Sequence, residues 1–278
     1  MLAPALQPYR SPRAVFWREE TIGSGATRLS ARLYAPAQSP AEAGLVLHFH
    51  GGAFTGGSLA DGEAVATMLA EAGAVVLSLD YPLAPTHRFP DALEAAYGAL
   101  VAVSRSRSRW SLRGAQLYVA GEEAGGNLAA ALALMARDRG GPALAGQILL
   151  SPMLDPCMAT CSLRQADAGP VGCHWADGWA DYLGTPERAA HPYAAPANAS
   201  RLAGLPPALL LSAEDDPMRD ETAAYATRLR AAGVSVHHHV RPAPTQWPDA
   251  YAGMPQNGSC LCESCHLVSD FYALRPPP

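Results

Sequence analysis

Short apolar runs alternate with helix-like stretches along most of this 278-residue chain. The runs are rich in Leu, Val and Ala, and they occur at 44–49, 74–79, 116–120, 146–150, 208–212 and 234–240. Helical patterns are found at 62–72, 90–104, 127–139, 221–232 and, in the tail, 259–272. Because strands joined through helices return parallel to one another, this alternation predicts a largely parallel sheet covered by helices on both faces.

Two stretches do not follow this alternation of apolar runs and helix-like segments. Residues 14–21 and 30–34 alternate apolar with polar side chains, which predicts an antiparallel hairpin at the edge of the sheet. Residues 155–203 are rich in Gly, Pro, Ala and Trp, and such a long excursion after a strand is typical of a lid or pocket wall. We therefore predict a single α/β domain over residues 1–278.

Composition excludes several classes of function. The formal charge is −5, with no basic surplus for a nucleic-acid partner. All 20 cationic side chains are arginines, and the absence of lysine excludes Schiff-base chemistry and a P-loop. No apolar run is long enough to span a membrane, and the first residues make a poor signal peptide. We expect a cytoplasmic protein with six reduced cysteines and no cofactor.

The sharpest local feature is the run 119–127, which reads VAGEEAGGN. It indicates a strand that passes through a glycine turn into a helix, with Glu123 at the apex of the turn. Gly121, Ala124 and Gly125 supply the clearance that so tight a turn needs. The helix would direct its free N–H groups toward the apex side chain.

Two further features follow predicted strands. Residues 48–54 read HFHGGAF, and adjacent glycines allow backbone N–H groups to approach a ligand oxygen closely. Residues 213–221 read AEDDPMRDE and place carboxylates after another strand. Ligand sites in parallel sheets lie at the carboxyl ends of the strands, where all three features would meet.

In this order, the motifs resemble those of the hormone-sensitive-lipase branch of the α/β-hydrolase esterases, over about residues 14–250. Residues 50–53 (HGGA) are similar to the family's HGGG motif, residues 80–90 to its DYRLAPE segment, and residues 205–208 and 216–221 to its acid region. The resemblance implies an α/β-hydrolase fold: a twisted, mostly parallel sheet of eight strands with a reduced N-terminal cap. It also implies oxyanion-hole donors at Gly51, Gly52 and Ala124, and a catalytic acid at Asp216.

The departures from the family pattern bear on function. Glu123 stands where the family has its nucleophilic serine, and Gln246 falls at the position of the catalytic histidine. Glutamine cannot accept and return a proton near neutral pH. We therefore expect a protein that binds a small ester or carbonyl ligand at a retained oxyanion pocket, without a working Ser-His-Asp triad.

Alternatives remain open for Glu123. It could be a carboxylate nucleophile, as in epoxide- or halide-type hydrolases, or a general acid or base. It could also occlude the oxyanion donors, which would suit a non-catalytic binding or regulatory protein. His174 and His266 are the candidates to replace the missing base.

Metal binding is not predicted. Cys260, Cys262, Cys265 and His266 are closely spaced, but only the Cys262–Cys265 spacing is typical of zinc sites, so reduced thiols are favoured. His237, His238 and His239 lie on a predicted strand, where neighbouring side chains face opposite ways. The predicted partner is a small molecule, with neither nucleic acid nor membrane, and a homo-oligomer is left open.

Overall fold

A computed structural model describes residues 14–23, 28–37, 44–111, 114–165, 169–243, 245 and 258–274. In these residues an eight-stranded sheet has the order β1-β2-β4-β3-β5-β6-β7-β8. The strands are β1 (Val15–Ile22), β2 (Leu29–Pro36), β3 (Leu45–Phe49), β4 (Val75–Leu79), β5 (Leu117–Glu122), β6 (Gly146–Leu150), β7 (Ala208–Ala213) and β8 (Val236–Arg241). The helices are α1 (Glu63–Glu71), α2 (Asp91–Arg105), α3 (Glu123–Asp138), α4 (Cys161–Gln165), α5 (Gly169–Leu183), α6 (Arg219–Ala231) and α7 (Gly258–Ala273).

The sheet is mostly parallel, as the alternating pattern predicts. Strands β3 to β8 pair in parallel, while β1 pairs antiparallel with β2 and β2 antiparallel with β4. The predicted antiparallel hairpin is confirmed, with β1 at the edge of the sheet. Strands β3 to β7 are buried along their whole length, which explains why apolar residues predominate in them without strict alternation.

Helices cover both faces of the sheet. Buried side chains of α2, α3, α5 and α6 belong to one hydrophobic cluster, and those of α1 and α7 belong to the other. Helix α3 lies deepest, because every residue from 124 to 136 is buried. This central helix begins directly at the predicted turn apex and so fixes the site against the middle of the sheet.

Three helices differ from the sequence prediction. Helix α3 begins at Glu123, four residues before the predicted start, because small residues allow the chain to enter the helix immediately after the strand. Helices α4 and α5 lie within the excursion 155–203, where no helix was predicted because glycine and proline favour loops. None of the helices in the described ranges is both long and apolar enough to cross a bilayer.

Candidate functional site

The turn between β5 and α3, called the elbow here (residues 121–125), places Glu123 at the carboxyl edge of the sheet. Its backbone φ is 53°, in the left-handed region, whereas Glu122 before it is extended with φ −108° and ψ 146°. Left-handed backbone costs roughly 1–3 kcal/mol in a residue other than glycine, so the surroundings must hold this conformation. A Cβ at Gly121 would overlap the backbone of Gly125, and a Cβ at Gly125 would overlap the carbonyl group of Phe49. The glycines therefore allow α3 to pack directly against β3 and β5.

The loop after β3 directs backbone N–H groups at the Glu123 carboxylate. Gly52 N and Ala53 N both donate hydrogen bonds to Oε2 of Glu123, the second at 3.1 Å. The backbone φ values of Gly52 and Ala53 are 119° and 49°, and this turn brings both N–H groups onto one oxygen. Paired N–H groups of this kind can stabilise an oxygen that carries negative charge.

The predicted oxyanion donors lie around this loop in different ways. Gly52 donates to the carboxylate, whereas the N–H of Gly51 donates to Oε1 of Glu122 at 3.3 Å. Ala124 is buried in the first turn of α3. Ala53 was not among the predicted donors, because a backbone N–H leaves no trace in the residue type. That Gly51, Gly52 and Ala124 form an oxyanion hole stays a prediction.

Helix α5 donates a hydrogen bond to the other oxygen of the Glu123 carboxylate. Trp175 Nε1 donates a hydrogen bond to Oε1 of Glu123 at 2.5 Å, and the Trp175 side chain is only 1% exposed. The sequence places Trp175 inside the excursion 155–203, but the contact with the elbow depends on how that segment folds back. The role of the excursion as a lid or pocket wall stays a prediction.

A buried polar chain lies beneath the elbow. Ser78 Oγ is 2.9 Å from Nδ1 of His48, and Nε2 of His48 is 2.7 Å from Oε2 of Glu122. Ser78 and His48 are fully buried and Glu122 is nearly so. Because the other oxygen of Glu122 accepts the N–H of Gly51, this chain connects β4, β3 and β5 to the loop after β3.

Tyr81 supports the same loop from the segment after β4. Its hydroxyl donates a hydrogen bond to the carbonyl oxygen of His50 at 2.7 Å, and the two rings stack at 4.5 Å. Burial, with the nearby carboxylates of Glu123 and Glu122, raises the pKa of the Tyr81 hydroxyl well above its ordinary value. The hydroxyl therefore stays protonated and remains a donor.

Asp216 lies at the end of β7, buried with only 1% of its surface exposed. Ser151 Oγ donates to Oδ2 of Asp216, and Met218 N donates to Oδ1 at 2.8 Å. Burial is the main cause that raises the pKa of the Asp216 carboxyl, to about 7, although these hydrogen bonds act in the opposite direction. The acid position is thus occupied by a carboxyl group with a serine hydroxyl as its side-chain partner.

The start of the excursion is fastened to α6 by carboxylates. Glu221 accepts a hydrogen bond from Asp155 N at 3.0 Å, and Asp220 accepts one from Ser162 N at 2.8 Å. Burial raises the pKa of Glu221 well above its ordinary value. These contacts fix both ends of the turn that leads from β6 into α4.

The remaining predicted site residues either lie outside the described residues or lie on the surfaces of α5 and α7. Gln246 lies outside the described residues. The side chains of Cys260 and Cys262 also lie outside the described part of the chain. Cys265 is half-buried and His266 is exposed on α7. The described side chains contain no cluster of three or more metal-ligating groups, and the metal prediction stays open for the rest. His174 is exposed on α5, next to Trp175.

Comparison with known proteins gives consistent matches. A family described as alpha/beta hydrolase fold matches residues 46–245. The carboxylesterase NlhH of Mycobacterium tuberculosis is 38% identical over 229 residues, which cover 78% of this chain and 70% of the relative. Esterase LipI of the same organism is 35% identical over 244 residues, which cover 84% of this chain and 75% of the relative.

Solved structures agree with these relatives. A thermostable esterase from Pseudomonas putida ECU1011 is similar with a TM-score of 0.82 and 30% identity, over 96% of this chain and 85% of that one. A hyperthermophilic esterase from Pyrobaculum calidifontis is similar with a TM-score of 0.81 and 33% identity, over 92% and 85% of the respective chains. The predicted fold is confirmed.

Proposed function

The chain belongs to the esterase family of the α/β-hydrolase fold, and from this premise we propose that it binds a small ester or carbonyl compound without hydrolysing it through a serine. The observation that carries the proposal is the position of the Glu123 carboxylate. It sits at the elbow between β5 and α3, and its Oε2 accepts the N–H groups of Gly52 and Ala53. These are the donors that a bound carbonyl oxygen would need.

A serine esterase requires three groups, and in this proposal the chain lacks two of them. It needs a hydroxyl at the elbow, a base that removes its proton, and a carboxylate that orients the base. Glu123 supplies no hydroxyl, and Gln246, at the position that the resemblance assigns to the base, cannot carry a proton near neutral pH. The third group, a carboxylate, is present as Asp216, whose side-chain partner is Ser151. The donors that stabilise an oxyanion remain, and binding is the property that they support.

Ligand binding in this proposal requires movement of Glu123. A carbonyl oxygen reaches Gly52 N and Ala53 N only when Oε2 of Glu123 leaves them, because two acceptors cannot share that space. The side chain of Glu123 is partly exposed, so rotation toward solvent is the simplest way to vacate the donors. Occupation of the donors and binding of the ligand are therefore mutually exclusive.

A second candidate function, carboxylate-nucleophile hydrolysis, is favoured by one observation. With Oε2 already at the loop N–H groups, Oε1 of Glu123 could attack the carbon of an epoxide, forming an ester bond while the carbon–oxygen bond of the ring breaks and its oxygen takes up a proton from water. In the part of the chain that is described, the carboxylate is bonded to Gly52, Ala53 and Trp175, none of which can activate water for the second step. Without a base from another part of the chain, this route would stop at a covalent ester.

Two measurements test the proposal. Hydrolysis of p-nitrophenyl acetate is measured for the wild type, for Glu123→Ser, and for Glu187→Ser, a control at an exposed glutamate in the excursion. We expect all three to stay near the uncatalysed rate, because the serine would have no base. Intact mass after incubation with styrene oxide should show no adduct.

Efficient ester hydrolysis by the wild type would overturn the proposal. Hydrolysis by Glu123→Ser alone would show that another base, such as His174 or His266, serves the site. A mass increase equal to one epoxide on the wild type, absent in Glu123→Ser, would instead establish the carboxylate-nucleophile route.

A further inference from the structure

The Glu123 carboxylate is bound on two sides. Oε2 accepts the N–H groups of Gly52 and Ala53, and Oε1 accepts the indole N–H of Trp175 at 2.5 Å. The donors therefore come from two separate elements, the loop after β3 and helix α5. A group that satisfies all three must present two acceptor oxygens, one on each side.

Helix α5 packs firmly against the loop after β3 (residues 50–54). A Cβ at Gly178 would overlap the carbonyl oxygen of Ala53, so the helix backbone lies directly on the loop. The ring of Phe54 stacks on Tyr182 at 4.1 Å and tilts against Trp179 at 4.8 Å. Because these contacts fix the helix against the loop, the indole N–H and the loop N–H groups keep their spacing when the group between them changes.

We propose that these three donors form a binding site for a free carboxylate, which Glu123 occupies in the absence of ligand. The inference rests on the proposed function and narrows its ligand class from carbonyl compounds in general to carboxylic acid anions. The ligand would place one oxygen at Gly52 and Ala53 and the other at Trp175, as the Glu123 carboxylate does.

The indole donor distinguishes a carboxylate from an ester. An ester offers its carbonyl oxygen to the loop, but its second oxygen carries an alkyl group and is a poor acceptor. The N–H of Trp175 is buried and would then lose its partner, which weakens binding by about tenfold or more. Hydrogen bonds to a charged acceptor are also the stronger kind, so a carboxylate benefits at all three donors.

Glu123 acts as a tethered competitor for the same donors. A group attached by a short linker has an effective concentration in the millimolar range or higher, so a free carboxylate displaces it only at comparable concentrations. A bound carboxylate also places a second negative charge beside the displaced Glu123, whereas in Glu123→Ala it replaces the charge that was removed. The variant should therefore bind acetate more tightly than the wild type does, by about 100-fold, which is the lower end of the gain that tethering gives.

The experiment is titration of Glu123→Ala with sodium acetate and, separately, with ethyl acetate, followed by calorimetry and by NMR of the indole N–H signals. The chain has five tryptophans, and comparison with Glu123→Ala/Trp175→Phe assigns the signal of Trp175. We expect acetate to bind at least tenfold more tightly than ethyl acetate and to shift the Trp175 signal downfield. The double variant should bind acetate about 10- to 100-fold more weakly.

Glu123→Ala/Trp179→Phe is the matched control, because Trp179 lies one turn along the same helix and contacts Phe54. It should bind acetate as Glu123→Ala does. Equal or tighter binding of ethyl acetate, or acetate binding that leaves the Trp175 signal unmoved, would overturn the carboxylate site while leaving the proposed function in place. If neither compound binds, both proposals are wrong.

Discussion

Replacement of Asp216 by asparagine should remove a pH dependence from the stability of the protein. Asp216 is buried at the end of β7, where Ser151 Oγ and Met218 N donate to its two oxygens. Asparagine has the same shape, and its carbonyl oxygen can still accept from Met218 N while its NH₂ group donates to Ser151 Oγ. The substitution therefore changes the ionisation of the site with little change in packing.

The magnitude follows from the pKa of the Asp216 carboxyl, which burial raises from 3.8 to about 7 in the folded state. Between these pH values the folded state binds more protons than the unfolded state, so the free energy of unfolding falls as pH rises. A tenfold change in proton affinity corresponds to about 1.4 kcal/mol, so ionisation of Asp216 destabilises the wild type by up to about 4 kcal/mol. Below pH 4 that cost is absent, and above pH 7 it is complete.

Urea unfolding at pH 4 to 8, followed by circular dichroism, measures the effect. The stability of Asp216→Asn relative to the wild type should increase by up to about 4 kcal/mol from pH 4 to pH 8. Asp177→Asn, at an exposed carboxyl on α5, should show no such trend. A difference between Asp216→Asn and the wild type that stays constant with pH would refute the assignment of a raised pKa to this carboxyl.

Two further substitutions test the packing beneath the site. Gly125→Ala should destabilise the fold by about 1–3 kcal/mol or more in chemical unfolding, because its Cβ would overlap the backbone of β3. Gly98→Ala, in an open part of α2, should instead stabilise it by about 0.5–1 kcal/mol, and equal effects at both positions would contradict the steric argument. His48→Leu should cost about 1–3 kcal/mol, because it leaves the buried Glu122 carboxylate without its ring partner. Adding Glu122→Gln to His48→Leu should recover part of that loss in a double-mutant cycle, and strict additivity would show that the two side chains are not coupled.

The sequence by itself determined the architecture. Buried parallel strands are mostly apolar and are joined through helices, so β3 to β7 and the helices between them leave a periodic pattern. The elbow was also predictable, because only small residues at 121 and 125 allow a helix to begin where a strand ends. Helix α5 was not predicted, although its buried Trp175, Trp179, Tyr182 and Leu183 have helical spacing, because the glycines and proline at its start favour a loop.

Only the tertiary structure decided what surrounds Glu123. The sequence identifies the residue at the apex and leaves nucleophile, proton carrier and occluding group as alternatives. Which groups bind its two oxygens depends on backbone N–H groups of Gly52 and Ala53 and on an indole 52 residues further along the chain. Backbone donors are common to almost every residue type, and contacts between distant segments depend on how the chain folds back on itself. Neither leaves a pattern in the order of the amino acids, so only the tertiary structure reveals these contacts.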